Sequence, residues 1–375
     1  MVLGLTLVVS ALVTSAGVAI AQQQRSPLLR LTEDPAHDVR PAWSPDGRQV
    51  AFQSHRTGSY QIWVMDAEGI GAHRVSQSNS DDRHPAWSPD GRLIAFDSGD
   101  RDVREIWIVD ADGRNRRPVT ALGALASFPS WSADGRRLAF YLFRDGVMDL
   151  WSVSLDGPGP RALTSGLADQ RRGDCTFACH TAAWSPDGTR LAYSGGDHRT
   201  VWSLPVDGGA AAQLTFGDEH AHFPWYLPDG RLAYVVEHIT SNEAWTDVWA
   251  LDLGGLRSPE LLFQKIRIQG PYELSPDGER LLFHSPRGGN FDIYLADLGA
   301  PGGYEALQRV QPLASADAGA APARTPGAAA GGTAELSGLP LLLAAGALLA
   351  AGAVLLAGLL AVALVRSSRR RGQQS

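Results

Sequence analysis

The sequence predicts an all-β fold: a six-bladed β-propeller of four-stranded antiparallel blades, followed by a C-terminal transmembrane helix. Three observations carry this reading. A Trp-Ser-Pro-Asp-Gly turn stands at residues 43–47, 87–91 and 184–188, as Trp-Ser-Ala-Asp-Gly at 131–135, and in weaker copies at 226–230 and 274–278. The glycines of these turns lie 42 to 53 residues apart, the spacing of a repeat that folds as one blade. Near the far end, residues 338–365 carry no charge and consist almost wholly of Leu, Ala, Val and Gly.

Residues 1–21 read as an export signal. They hold no charge, run apolar through Val18, Ala19 and Ile20, and place small Ala19 and Ala21 where signal peptidase would cut, although a basic n-region is missing. The propeller then spans 28–310. Its opening stretch, Leu28 to Thr32, has the pattern of a fourth strand, so the chain starts in mid-blade. In each repeat Asp-Gly supplies the turn, because glycine takes positive φ without a Cβ penalty. A strand follows, such as Arg92 to Phe96 or Arg190 to Tyr193, and then a third strand with a central aromatic: Trp63, Trp107, Trp151, Trp202, Trp249 and Tyr294. Fourth strands begin near Val75, Val119 and Leu163. Tyr304 to Val310 is expected to be another, so that one terminal strand closes the ring and leaves no open edge.

Charge narrows the partner classes. The chain carries −7, and setting aside the four arginines after residue 365 leaves roughly −11 on the remainder. Arginine supplies nearly all the positive charge, Lys265 being the one lysine. Nucleic acid is excluded as a partner, because phosphate binding needs a basic stripe.

The repeated turn carries a family resemblance. Over about residues 28 to 310 the chain resembles the TolB-like propellers, a family of WD-type repeats marked by Trp-Ser-Pro-Asp-Gly, and departs from it where the fifth and sixth copies lose the first tryptophan. The resemblance implies a propeller scaffold. It extends in architecture to periplasmic adaptors that bind protein partners, to propeller domains fused to serine peptidases, and to polysaccharide lyases that place a metal on a propeller.

Residues 311–337, rich in Ala, Gly and Pro, read as a flexible linker. The apolar stretch 338–365 exceeds the roughly 20 residues needed to span a bilayer. Arg366, Arg369, Arg370 and Arg371 follow in a basic tail, 366–375, which places the C-terminus in the cytoplasm and the propeller outside it, on the cell membrane. The same tripartite end also resembles a sorting signal that is cut off after export.

Candidate chemistry is sparse. Cys175 and Cys179 are expected to form a disulfide in an exported loop, with covalent haem through Cys175, Cys179 and His180, free thiols or a metal as alternatives. His84, His180, His220 and His222 could gather at one end of the central channel and hold a divalent metal. No G-x-S-x-G elbow is present, and the turn aspartates 46, 90, 134, 187 and 277 read as structural. Two function classes follow. One is a tethered binding or scaffold module for a protein, peptide or glycan, without a cofactor. The other is a metal-assisted enzyme such as a polysaccharide lyase. For the first, the loops that lead into each first strand are expected to carry the partner site, through Arg40, Arg83, His84, Phe128 and His222.

Overall fold

The computed structural model describes residues 26–166, 168–169, 182–195, 200–216, 220–240, 244–254, 258–266 and 272–309. The segments read as signal, linker, transmembrane helix and tail lie outside these residues, as do Cys175, Cys179 and His180. Among the described residues no helix is long and apolar enough to cross a membrane.

The described chain is an all-β propeller. It begins with β1 (Leu28–Arg30) and continues through β2 (Asp38–Trp43), β3 (Gln49–Ser54), β4 (Gln61–Asp66) and β5 (His73–Arg74). The next strands are β6 (Asp81–Trp87), β7 (Leu93–Gly99), β8 (Arg104–Asp110) and β9 (Arg117–Pro118). Then come β10 (Leu125–Trp131), β11 (Arg137–Arg144), β12 (Val147–Ser154), β13 (Arg161–Ala162) and β14 (Ala168–Asp169). The second half holds β15 (Ala182–Trp184), β16 (Arg190–Gly195), β17 (Thr200–Pro205), β18 (Ala212–Gln213), β19 (His220–Tyr226) and β20 (Leu232–Ile239). It ends with β21 (Ala244–Leu251), β22 (Glu260–Ile266), β23 (Glu273–Leu274), β24 (Arg280–Ser285), β25 (Asp292–Asp297) and the helix α1 (Gly303–Gln308).

Four sheets are four-stranded, ordered β2-β3-β4-β5, β15-β16-β17-β18, β19-β20-β21-β22 and β1-β25-β24-β23. A nine-stranded sheet holds β6 to β14, its two meanders joined by one parallel bridge between Leu125 and Arg104. First strands stand side by side: β2 beside β6, β6 beside β10, β10 beside β15, β15 beside β19, and β23 against β2.

Each Asp-Gly turn is built by its own sequence. Ser44 Oγ donates to Asp46 Oδ1 at 2.7 Å, that oxygen accepts Arg48 N–H at 3.1 Å, and Ser44 Oγ accepts Gln49 N–H at 2.9 Å. Gly47 completes the turn at φ 68°, where a Cβ would be strained. Ser88 with Asp90, Ser132 with Asp134, Ser185 with Asp187 and Ser275 with Asp277 repeat the pair. The serine bond holds these carboxyls below their ordinary range. Their role is structural.

The core lies between neighbouring sheets. Phe52, Phe96, Phe140 and Phe283 occupy one repeat position on the second strands and are fully buried, each worth about 1.5–3 kcal/mol of transfer. One cluster joins Trp43, Phe52 and Met65 to Leu282, Ile293 and Leu295, tying the first hairpin to the last.

Closure belongs to the N-terminus. β1 pairs antiparallel with β25, Leu28 opposite Ala296 and Arg30 opposite Tyr294. The expectation of a fourth strand at Tyr304 to Val310 is corrected. Residues Tyr304 to Gln308 of that stretch lie in α1, whose Leu307 is fully buried while the Tyr304 hydroxyl donates to Gln264 O at 2.6 Å. Its Glu-Ala-Leu-Gln run favours helix, and β1 already occupies the edge it would have paired with.

Candidate functional site

The stretches read as loops leading into the first strands are themselves strand. Asp38–Trp43, Asp81–Trp87, Leu125–Trp131 and His220–Tyr226 all pair with the strand that follows them. In each the register shifts across a bulge, between Val39 and Ala42, Arg83 and Ala86, Ser127 and Ser130, and His222 and Trp225. The bulged residue takes positive φ every time: Arg40 57°, His84 54°, Phe128 59° and Phe223 50°. Proline follows each one, and a residue without an N–H is at home where the ladder is interrupted. Left-handed backbone is unfavourable for such side chains by about 1–2 kcal/mol.

All four bulged residues line one central cavity of about 520 Å³, with Pro41, Pro85, Pro129 and Pro224 beside them and Trp43, Trp87, Trp131 and Trp184 further along. Around the first three, a packed polar and aromatic group forms. His84 and Phe128 rings lie 4.0 Å apart, and the Arg40 guanidinium sits 5.5 Å from the Phe128 ring. Beneath them Asp97, fully buried, accepts His84 Nδ1–H at 2.6 Å, Arg104 Nη1–H at 2.9 Å and the Phe128 N–H at 3.3 Å. Gln53 Oε1 accepts the His84 N–H at 2.9 Å. The residues after Phe52 and Phe96 thus serve the bulge of the next hairpin. His284 holds the same repeat position, and Arg40 acts on it.

Electrostatics follow from this packing. Burial pulls His84 down to about 4, and Arg40 and Arg104 add to that against the pull of Asp97. The ring is neutral at pH 7, donates through Nδ1, and leaves Nε2 as an acceptor. Burial also draws His284 down to about 3, with Arg40 reinforcing it. Burial pushes the Asp97 carboxyl up, but His84 and Arg104 outweigh it and hold it below its ordinary range. Arg40 falls to about 10 through burial, with Asp97 opposing and Arg83 reinforcing, and stays cationic.

The opposite part of the wall breaks the repeat. The residue before the first tryptophan is small in four hairpins, Ala42, Ala86, Ser130 and Ala183, but Trp225 and Glu273 in the last two. All six line the same cavity. Glu273 Oε2 accepts the Trp43 N–H at 3.1 Å, and Tyr272 meets Trp225 edge-on at 6.2 Å. Burial raises Glu273 to about 8, with that single N–H opposing. A second regularity stops here too. Trp87, Trp131 and Trp184 donate their indole N–H to Ala42 O, Ala86 O and Ser130 O at 3.2, 3.0 and 3.1 Å. Trp43 Nε1, Trp225 Nε1 and the Tyr226 hydroxyl are buried and have no such partner among the described residues.

Of the residues singled out from sequence, Arg40, His84 and Phe128 meet at the cavity. Arg83 precedes the bulge, is paired with Asp81 at 2.7 Å, and lies 4.5 Å over Tyr60. His222 is buried with its ring edge-on to Phe223 at 4.7 Å, and His220 is half-buried opposite Glu237. His180 and the two cysteines lie outside the described residues. Among the described residues no three His, Cys, Asp or Glu side chains group as a metal site. A metal at His84 would use Nε2, with Asp97 orienting the ring. The residues that sequence reasoning missed are Phe223, Asp97, Tyr272 and Glu273. Aligning the six turns and reading outward for positions that break the pattern would have found the last two.

Comparison with known proteins agrees with this architecture. The model of the TolB beta propeller domain matches residues 6–101 and 83–255. An uncharacterized protein of Agrobacterium fabrum is 35% identical over 135 residues, which are 36% of this chain and 41% of that protein. The chain therefore matches less than half the length of that curated relative. Among solved structures, a protein assigned as TolB from Agrobacterium tumefaciens is similar at TM-score 0.53 and 20% identity, over 72% of this chain and 96% of that one. An oligogalacturonate lyase in complex with manganese reaches 0.55 at 15% identity, over 72% and 93%. TolB from Acinetobacter baumannii reaches 0.50 at 19%, over 69% and 62%. At these identities the structural likeness is one of fold.

Proposed function

The chain belongs to the TolB beta propeller domain family, and on that premise we propose that it is a binding module taking a protein or peptide segment at the bulged end of its central cavity. The observation that carries this is the fourfold bulge. Four strained backbones hold Arg40, His84, Phe128 and Phe223 at the cavity, and strain of this kind gathers where a scaffold presents side chains to a ligand. The mix of a cation, an imidazole and two phenyl rings suits a polar rim with apolar anchors.

We read the ring as six blades, the nine-stranded sheet counting as two because a single bridge joins its meanders. We also read the module as tethered to a membrane and facing away from the cytoplasm, through the apolar stretch 338–365 and the arginines that follow. The metal-assisted reading is weaker. Burial chiefly keeps a proton off His84, with Arg40 and Arg104 adding to it against the pull of Asp97, and the same burial opposes a divalent cation there.

The test is capture of a partner from membranes by the full chain, with Arg40, His84 and Phe128 replaced by Ala singly. Each is expected to weaken capture at least fivefold, whereas exposed Arg114→Ala leaves it unchanged. Equal capture by all four proteins would place the partner elsewhere.

A further inference from the structure

We infer that the part of the cavity wall built by β19 and β23 receives a lysine or arginine side chain of the bound peptide, with Glu273 as its counter-ion and Trp225 and Tyr272 as its aromatic flank. The inference rests on the peptide-binding reading above and specifies its chemistry. Glu273 and Trp225 hold equivalent positions in neighbouring hairpins, so they stand at one level of the ring, where the first four hairpins have only Ala or Ser. Both line the cavity together with Tyr272 and Trp43.

Glu273 is set there without a cation of its own. Its one hydrogen-bond partner is the neutral Trp43 N–H at 3.1 Å, and no ion pair reaches it among the described residues. Around it, Arg280 on β24 is engaged elsewhere, stacked 4.7 Å from the Trp43 ring and donating to Gly47 O at 3.1 Å. Arg40 on β2 exerts its field on His84 and His284, and the fields of Asp247 and Glu237 reach Tyr272. A half-buried carboxyl on a cavity wall that lacks a positive partner among the described residues, with Trp225 and Tyr272 in the same wall, has the makings of a cation site. The cavity, about 520 Å³, holds one long side chain with its adjoining backbone and excludes a folded partner.

The protonation state gives this site a signature. Glu273, raised to about 8 by burial, carries its proton at neutral pH and must release it to pair with an incoming ammonium. The proton leaves to solvent, so affinity for a lysine peptide rises with pH by close to tenfold per unit until Glu273 is ionised.

The experiment titrates the full chain with Ac-Ala-Ala-Lys-Ala-Ala-NH2 and with its norleucine and glutamate counterparts. Binding is read by tryptophan fluorescence, and proton release by calorimetry in buffers of different ionisation enthalpy. The lysine peptide is expected to bind at least tenfold more tightly than the norleucine one at pH 8, with a proton released at pH 7. Glu273→Gln is expected to bring the two peptides within twofold and to abolish the proton release, while melting at pH 8 stays at or above that of the parent chain. Equal binding of norleucine and lysine, or a lysine preference that survives Glu273→Gln, would overturn the inference alone. Failure of all three peptides to bind at millimolar concentration would overturn it together with the peptide reading.

Discussion

At Arg40 the backbone adopts φ 57° to hold one guanidinium 5.5 Å from Phe128, which separates what the fold needs from what a ligand needs. Glycine takes that conformation freely, so Arg40→Gly removes strain of about 1–2 kcal/mol. Melting is expected to hold or rise by a few degrees while partner capture falls; a sharp loss of melting temperature would mean that Arg40 serves the fold. Titration gives a second prediction at this scale. His84 and His284, lowered from 6.5 to about 4 and about 3, are neutral in the folded chain, so stability falls as pH drops below their unfolded value. Glu273, raised from 4.5 to about 8, works the other way, and stability falls as pH rises between those values. Each group contributes about 1.4 kcal/mol per pH unit at most, so the two histidines outweigh the carboxyl on the acid side. The melting temperature is expected to peak near pH 6.5, and Glu273→Gln to flatten the alkaline limb up to pH 8. An unchanged alkaline slope in that variant would show that Glu273 is ordinary.

The element that decides the architecture is a short one, the three-residue strand β1. In four internal sheets or meanders a hydroxyl closes the fourth strand onto the third: Ser76 accepts Ile62 N–H, Thr120 Ile106, Thr164 Leu150 and Thr215 Val201, at 2.8 to 2.9 Å. Thr32 accepts Ile293 N–H at 3.0 Å in the same way, across the whole length of the propeller. Thr32→Val leaves that buried N–H unpaired and is expected to destabilise the chain by about 1–3 kcal/mol, matching Thr120→Val. A silent Thr32→Val beside a costly Thr120→Val would mean that β1 adds little to closure. This much was legible in sequence, because Leu28 to Thr32 carries the fourth-strand pattern before any first strand has appeared. The helix at the other end was not, since its run stands where the repeat calls for a fourth strand, even though Tyr304, Leu307 and Val310 are spaced by three. Nor were the bulges. The proline is visible, but the positive φ before it comes from the register that the following hairpin imposes.

Across the molecule the regular part and the irregular part coincide with good and poor copies of the turn. The indole-to-carbonyl chain runs from Trp87 to Trp184 and stops at the hairpins whose first aromatic became Tyr226 or Leu274. Sequence therefore located the seam, and the structure added that its wall carries Glu273 and Trp225. The seam is also where the two ends of the ring meet. Arg30 pairs with Asp292 at 2.6 Å across 262 residues of chain, and Arg280 repeats at Trp43 the stacking that Arg137 makes on Trp184. Deleting residues 27–32 is expected to lower melting of the whole propeller in one transition, whereas loss confined to a separate early step would assign β1 to one sheet only. That long-range pair also puts a clock on biogenesis. At ~5–20 residues per second, synthesis takes about 13–50 s to pass from Arg30 to Asp292. Throughout that interval the earliest strand has no edge to join, so whichever factor escorts the nascent chain must keep Leu28 to Arg30 unpaired until almost the last strand arrives.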